Sequence, residues 1–523
     1  MGCSSQSLFK RRIYIINKLA LFFGLAALLF TGVNIPSGSE FGEIEEQIKN
    51  EIKKGVIPSL AVAVAQNGQI VFEKAYGWAD LEKKIKATTD TSYQLASVAK
   101  PLTATGLMVL HDRKRVNIDC SVESYLKPLK FNAYAGNGAE VKLKHLLNHT
   151  SGLGTYFNIT YADEDNVLRD FEDMFNKYAF LVHPAGTICE YSNLGYSLID
   201  YVISKASGKS FSVFMEHEVF SPLGMKNSFV EKSNRPDMMI ARKYDRNLKA
   251  LPDMHNDTPG AGNIYASVHD LILFGMFNLK NDVPGQRKIL NDETIDMMHS
   301  YKSESTLYPY YDSAYYGLGW YFKENDRGQK NIWHEGGAMG MSSILELIPS
   351  ANISVAVIIN TSNNPLCQKV AHDRIKRLLP DYIPFNHNEI ANFKPVDTDP
   401  SYSGRWRGVV HAGKLIIPLS LHFKPDGDVI VEYMDYTLKS YFTENSPLLR
   451  KSILLSAIVK NGYFVGMVPG LLPGKDIRRE FSHLMSLKLL RDGHTLRGTI
   501  VTLAAAEREY YAYPFYVELQ KQE

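Results

Sequence analysis

The spacing of apolar residues changes period several times along the chain, and each change predicts an element. Glu43 to Lys53 is charged and amphipathic, which predicts a helix. Ser59 to Gln66 and Gln69 to Tyr76 are apolar runs separated by Asn67-Gly68, which predicts a β-hairpin because both turn residues accept a left-handed backbone. Leu102 to His111, Lys142 to Leu147 and Tyr196 to Lys205 carry helical spacing, the last stopping at Gly208. Ser343 to Ile348 and Ile353 to Asn360 read as strands around a turn at Pro349-Ser350-Ala351-Asn352. Strands at both ends with helices between them predict an α/β sheet whose edges meet late in the chain.

The pattern shifts near residue 385. Pro384, Pro395 and Pro400 mark a linker over 386–400. Beyond it, period-two alternation dominates: Leu419, Leu421 and Phe423, a turn at Pro425-Asp426-Gly427-Asp428, then Val429, Val431 and Tyr433. Leu484 to Leu490 and Leu496 to Leu503 repeat the arrangement around Arg491-Asp492-Gly493-His494. Repeated hairpins over 401–523 predict a separate antiparallel, barrel-like β domain.

The N-terminus reads as an export signal. Lys10, Arg11 and Arg12 precede Ile13 to Ile16, and after Lys18 the stretch from Leu19 to Val33 is almost wholly apolar. That length suits a signal sequence and is short for a spanning helix; counted from Ile13 it is longer but includes Lys18. Residues 1–39 are therefore expected to be either a signal peptide cleaved near Ser37-Gly38-Ser39 or a retained membrane anchor. The basic cluster predicts a cytoplasmic N-terminus with the remaining chain exported.

Composition adds limits. The 523 residues are 45% hydrophobic and 22% charged, as in ordinary globular proteins, and the net charge of +2 gives no basis for a nucleic-acid partner. Cys3, Cys120, Cys189 and Cys367 lack the close spacing of zinc sites, and a single disulfide is neither required nor excluded.

Chemistry enters at Ser97-Val98-Ala99-Lys100. A Ser and a Lys three apart on a helix share one face, which brings an amine beside a hydroxyl. A hydroxyl so placed becomes a nucleophile when the amine is partly neutral. Two further segments accompany it. One is Tyr191-Ser192-Asn193, preceded by Pro184-Ala185-Gly186; the other is His334-Glu335-Gly336-Gly337, leading into Ala338-Met339-Gly340-Met341-Ser342-Ser343. In this order the three resemble the S-x-x-K, Y-x-N and K/H-x-G motifs of the serine β-lactamase and penicillin-binding-protein superfamily. The nearest branch is the class C and D-aminopeptidase/carboxypeptidase-like group. His145-Leu146-Leu147-Asn148-His149-Thr150-Ser151-Gly152-Leu153, Ser221-Pro222-Leu223-Gly224-Met225 and Tyr316-Gly317-Leu318-Gly319-Trp320 also match family text. The resemblance covers about 42–385, the expected catalytic domain, and not the C-terminal β domain.

It implies an antiparallel sheet flanked by helices, with an all-helical insertion, and a hydrolase without metal or organic cofactor. Ser97 would form an acyl-enzyme, Lys100 would take its proton directly or through Tyr191, and Tyr191 would pass it to the leaving group. Asn193 would orient Lys100 and the substrate. His334, where β-lactamases carry Lys, would sit near Tyr191 and tune it. Ser97 and Gly337 would supply oxyanion-hole N–H groups, and Gly336 and Gly337 would admit the substrate backbone. Glu335 departs from the family's usual Ser, Thr or Gly. An ionised carboxylate there would repel a substrate carboxylate or attract an ammonium, or else turn outward, so weak or absent β-lactamase activity is expected. The expected substrates are small esters or D-amino-acid peptides. The competing reading is a non-catalytic scaffold that binds peptidoglycan or a protein partner.

Overall fold

The structure, a computed structural model, describes residues 42–163, 170–231, 235, 237–302, 314–384, 394–433, 451–454, 456–460, 462–470, 472, 484–506 and 509–523. The expected leader and residues 386–393 of the expected linker lie outside them. Residues 44–523 form one compact unit, and among the described residues every sheet lies in it.

β1 (Ser59–Gln66) and β2 (Gln69–Asp80) form the hairpin, with Asn67 at φ 51° and Gly68 at φ 75°. β3 (Tyr321–Glu324), β4 (Lys330–Ala338), β5 (Met341–Ile348) and β6 (Ile353–Ile359) follow late in the chain. They make one antiparallel eight-stranded sheet in the order β3-β4-β5-β6-β1-β2, with the two-residue strands Tyr315–Tyr316 and Ile85–Lys86 at its edges. β6 pairs with β1 from Leu60↔Ile359 to Gln66↔Ile353, so the sheet closes early chain onto late chain as the pattern predicts.

The longest described helices are α1 (Gly42–Lys53), α2 (Ala99–Asp112), α3 (Asn193–Ser207), α4 (Val268–Asn278) and α5 (Asn364–Leu378). Leu60, Val62 and Val64 of β1 pack with Val355 and Val357 of β6 beneath Ile48 of α1 and Val370 and Ile375 of α5. Ala61, Ala63 and Ala65 face the opposite core, which holds Leu271, Ile272 and Phe274 of α4. A strand buried on both faces reads as a continuous apolar run, and each large aliphatic side chain buried there contributes about 1.5–3 kcal/mol.

The insertion between β2 and β3 is mainly helical but holds short strands as well. Tyr93–Gln94, Phe229–Val230 and Ile264–Ala266 form one small sheet, and Asn132–Ala133 pairs with Phe180–Leu181.

The C-terminal residues form a curled antiparallel sheet: β7 (Gly404–Ala412), β8 (Leu415–Phe423), β9 (Val429–Tyr433), β10 (Tyr463–Pro469), β11 (Leu484–Asp492), β12 (Thr495–Ala506) and β13 (Glu509–Lys521), with shorter strands at its ends. Lys394–Pro395, inside the expected linker, is one of those end strands. Two strands of the insertion join this sheet: Phe157–Tyr161 pairs with β13, and Met254–Asn256 pairs with Phe157–Tyr161. Ladder bonds between segments more than 350 residues apart leave no local sequence signal.

Candidate active site

Ser97 stands in the 3-10 turn Ala96–Val98, which runs directly into α2. Ala96 has φ 47°, a left-handed conformation that costs a non-glycine residue about 1–2 kcal/mol. Its neighbour Leu95 is pinned on both sides. The Leu95 N–H donates to Ile264 O at 2.9 Å, and the Leu95 carbonyl accepts Ser343 Oγ at 2.6 Å. These bonds hold the strained turn at the N-terminal end of a 14-residue helix, where the helix dipole favours negative charge on Ser97 Oγ.

Lys100, one turn on, is fully buried. Its Nζ lies 3.1 Å from Ser97 Oγ, 2.7 Å from Asn193 Oδ1 and 3.0 Å from Ala261 O. Burial pulls its pKa well below 10.5. A neutral amine has two N–H donors and one lone pair. In that neutral form Asn193 Oδ1 and the Ala261 carbonyl, which can only accept, take the two donors and leave the lone pair for the Ser97 hydroxyl; the protonated form donates to Ser97 Oγ.

Asn193 opens α3, and Ser192 caps it by accepting the Gly195 N–H at 3.3 Å. The preceding Tyr191 is partly exposed, and Lys100 Nζ lies 4.7 Å from its ring centroid. His149 of the 145–153 motif holds this segment at two points. Its carbonyl accepts the Glu190 N–H at 2.8 Å, and its Nδ1 accepts the Ser192 N–H at 3.1 Å. The His149 ring packs on Tyr191 with centroids 4.2 Å apart. Burial holds His149 well below its ordinary pKa, and any proton on nearby Lys100 or His334 would lower it further, so the ring is a neutral acceptor. The sequence assigns this histidine no role, and its one local signal is its place four residues after His145.

β4 brings the third segment beside Ser97. His334 is buried, with Nδ1 2.8 Å from the Glu335 carbonyl and Nε2 2.9 Å from Tyr316 Oη. The carbonyl fixes the proton on Nδ1, so Nε2 accepts the Tyr316 O–H. Burial and the Lys100 amine push the His334 pKa down to about 3. The His334 ring lies near Tyr191, with centroids 6.5 Å apart, and Tyr316 Oη is the hydroxyl bonded to its Nε2.

Gly336 lies on the same strand face as His334. A Cβ there would come within 2.1 Å of Leu95 O and 3.1 Å of Ser97 N, so only glycine lets β4 lie against the nucleophile turn. Side chains alternate along a strand, so Glu335 and Gly337 face the other way. A Cβ on Gly337 would meet the Asn364 side chain, and Glu335 Oε2 accepts Gln368 Nε2 at 2.6 Å, both partners being on α5. Of the two placements open to the Glu335 carboxylate, the structure has the outward one, on the side of the sheet that carries α5. Ala96, Ile159, Tyr161, Met254 and Met341 form an apolar cluster adjoining Ser97, with Ala338 and Met339 against it.

A two-sided antiparallel sheet with a Ser-Lys pair at a helix head, beside a glycine strand, defines a β-lactamase-like protein. Residues 44–379 match the Beta-lactamase family, and the chain belongs to it. Protein flp of Staphylococcus aureus (strain MW2) is 27% identical over 339 residues, covering 63% of this chain and 65% of flp. Penicillin-binding protein 4* of Bacillus subtilis (strain 168) is 26% identical over 314 residues, covering 54% of this chain and 64% of that protein. The chain therefore matches less than two thirds of the length of these relatives. The octameric penicillin-binding protein homologue from Pyrococcus abyssi shares the fold at a TM-score of 0.55 and 22% identity, over 90% of this chain and 99% of that one.

Proposed function

We propose that the protein is an exported serine hydrolase that cleaves esters or amides through an acyl-enzyme on Ser97. The observation that carries this reading is Lys100: a fully buried amine 3.1 Å from Ser97 Oγ, with its other two contacts made to neutral acceptors. Ser97 Oγ attacks the acyl carbon while its proton passes to Lys100 Nζ. The tetrahedral oxyanion meets the backbone N–H groups of Ser97 and Gly337. The proton then moves through Tyr191 to the leaving alcohol or amine as the carbon–heteroatom bond breaks. Water attacks the acyl-enzyme along the reverse route and releases the acid with Ser97 restored.

Substrates are small esters or D-amino-acid peptides. β-Lactamase activity is weak or absent. The basis for this is now His334, neutral where β-lactamases carry a charged Lys, rather than Glu335. A hydrogen bond to a charged group contributes about 1.5–3 kcal/mol, so losing one from a substrate carboxylate lowers kcat/KM roughly 10- to 100-fold. Export rests on the basic-then-apolar pattern of the leader. Turnover of p-nitrophenyl acetate and nitrocefin tests the reading. Ester hydrolysis abolished by Ser97→Ala, with much weaker nitrocefin turnover, is expected; absent ester hydrolysis in folded wild type contradicts it.

A further inference from the structure

The C-terminal sheet reaches the segment that carries Tyr191. On β11, Met485, Leu487 and Leu489 are buried in the core, and alternation turns Lys488 to the other face. Lys488 Nζ lies 3.0 Å from Thr155 Oγ1, to which it donates, and 3.8 Å from Glu190 Oε1. Thr155 Oγ1 donates in turn to the Tyr191 carbonyl at 3.1 Å. Glu190, the residue before Tyr191, is buried, and burial raises its pKa while Lys488 opposes the rise. Among the described residues, His183 Nε2 also lies 3.7 Å from Glu190, but burial pushes it down to about 4 and it is neutral at pH 7, so Lys488 supplies the positive charge there.

A second contact seats the same loop. The Gly154 carbonyl accepts Ser192 Oγ at 3.0 Å, one residue beyond Tyr191. A Cβ on Gly154 would lie 3.1 Å from both Pro514 Cβ and Thr499 Cγ2, so β12 and β13 press directly on this loop. Thr499 is the β12 residue paired in register with Lys488. The strand that follows, Phe157–Tyr161, is itself laddered to β13, and Tyr513 Oη donates to Asn158 Oδ1 at 2.9 Å. Loop 154–155 therefore has the Tyr191-Ser192 backbone on one side and the C-terminal sheet on the other.

We infer that the C-terminal sheet is a working part of the active site, in which Lys488 and Thr155 are positioning residues that fix the Tyr191 backbone for proton transfer. This rests on the reading of Ser97 and Tyr191 given under Proposed function. A Lys inside a sheet has a high desolvation cost, and here its ammonium meets a carboxylate and a hydroxyl that flank one tyrosine.

The test uses the full chain in four forms: wild type, Lys488→Met, Thr155→Val and Thr155→Ser. Acylation of Ser97 by p-nitrophenyl acetate is followed by intact mass, and kcat and KM are measured per folded molecule. Lys488→Met and Thr155→Val are expected to slow acylation and kcat by about tenfold, the equivalent of one lost hydrogen bond, with KM little changed. Thr155→Ser restores the hydroxyl and is expected to stay near wild type. Wild-type acylation rates in Lys488→Met and Thr155→Val, with only their melting temperatures lowered, overturn this inference and leave the hydrolase reading intact. A folded wild type that is not acylated at Ser97 overturns both.

Discussion

Replacing Lys100 separates what its amine does in chemistry from what it does in packing. Lys100→Met keeps an apolar stem of similar volume and removes the nitrogen. Asn193 Oδ1 and Ala261 O then lose donors at 2.7 and 3.0 Å. Each buried acceptor left bare costs about 1–3 kcal/mol. Against this, the wild type holds its amine away from water with a pKa pulled well down, and each unit of that depression costs about 1.4 kcal/mol when the unfolded chain is protonated. The two effects oppose, so Lys100→Met is expected to destabilise the fold at pH 7 less than two bare acceptors alone would. The rate loses its general base and falls about 10²- to 10⁴-fold.

Lys100→Arg is the complementary change. A guanidinium keeps its proton at every working pH, so it cannot accept the Ser97 proton. It also places a permanent charge among neutral acceptors, which costs several kcal/mol, on the order of a broken buried ion pair. The Met variant is thus expected to be stable and inactive, and the Arg variant unstable and inactive. A third readout follows from linkage. Between the lowered folded pKa and the unfolded value near 10.5, the unfolded chain binds the extra proton, so wild-type stability rises with pH and is lost as pH falls. Lys100→Met removes that slope. The assay is initial-rate hydrolysis of p-nitrophenyl acetate, with thermal melts at several pH values. A Lys100→Arg enzyme working at a rate close to wild type would refute the assignment of Lys100 as the base.

Three other outcomes are expected. Gly336→Ala, whose Cβ has no room beside Leu95 O, should abolish Ser97 acylation and lower stability by about 1–3 kcal/mol, and wild-type acylation would show that β4 does not abut the turn. His149→Leu removes the acceptor for the Ser192 N–H and should lower kcat about tenfold at nearly constant KM, checked by ester kinetics. Glu346 accepts Tyr382 Oη at 2.6 Å, and burial raises its pKa from 4.5 to about 8. The folded state therefore holds a proton that the unfolded chain releases, and this stabilisation, worth a few kcal/mol at about 1.4 per unit, is lost as pH rises from 4.5 through 8. Glu346→Gln should flatten that slope in thermal melts, and an unchanged slope contradicts it.

The fold was legible where local chemistry decides it. Asn67-Gly68 specifies its hairpin whatever lies around it, and Gly208 at φ 73° ends α3 where the spacing placed the stop. The apolar period of α3 shows only from Tyr196, three residues after the helix opens behind its Ser192 cap. In the site, the pairing of Ser97 with Lys100 is local helix geometry, and the structure brings them within 3.1 Å. Asn193 reaches Lys100 from 93 residues away, and only the order of motifs pointed to that. The direction of Glu335 could not be read, since it depends on which face of β4 meets Ser97, and the packing of Gly336 on Leu95 decides that. The contact of Lys488 with Thr155 spans 333 residues and joins two differently patterned regions, so no periodicity announces it.

The central claim is that Ser97, activated by Lys100, carries the acyl group. The most direct measurement is intact-mass spectrometry of the protein quenched in acid after reaction with an activated p-nitrophenyl ester, with Ser97→Ala in parallel. The account predicts one added acyl group in the wild type, mapped to Ser97, and none in Ser97→Ala. An adduct that persists in Ser97→Ala, or neither adduct nor turnover in folded wild type, would contradict it.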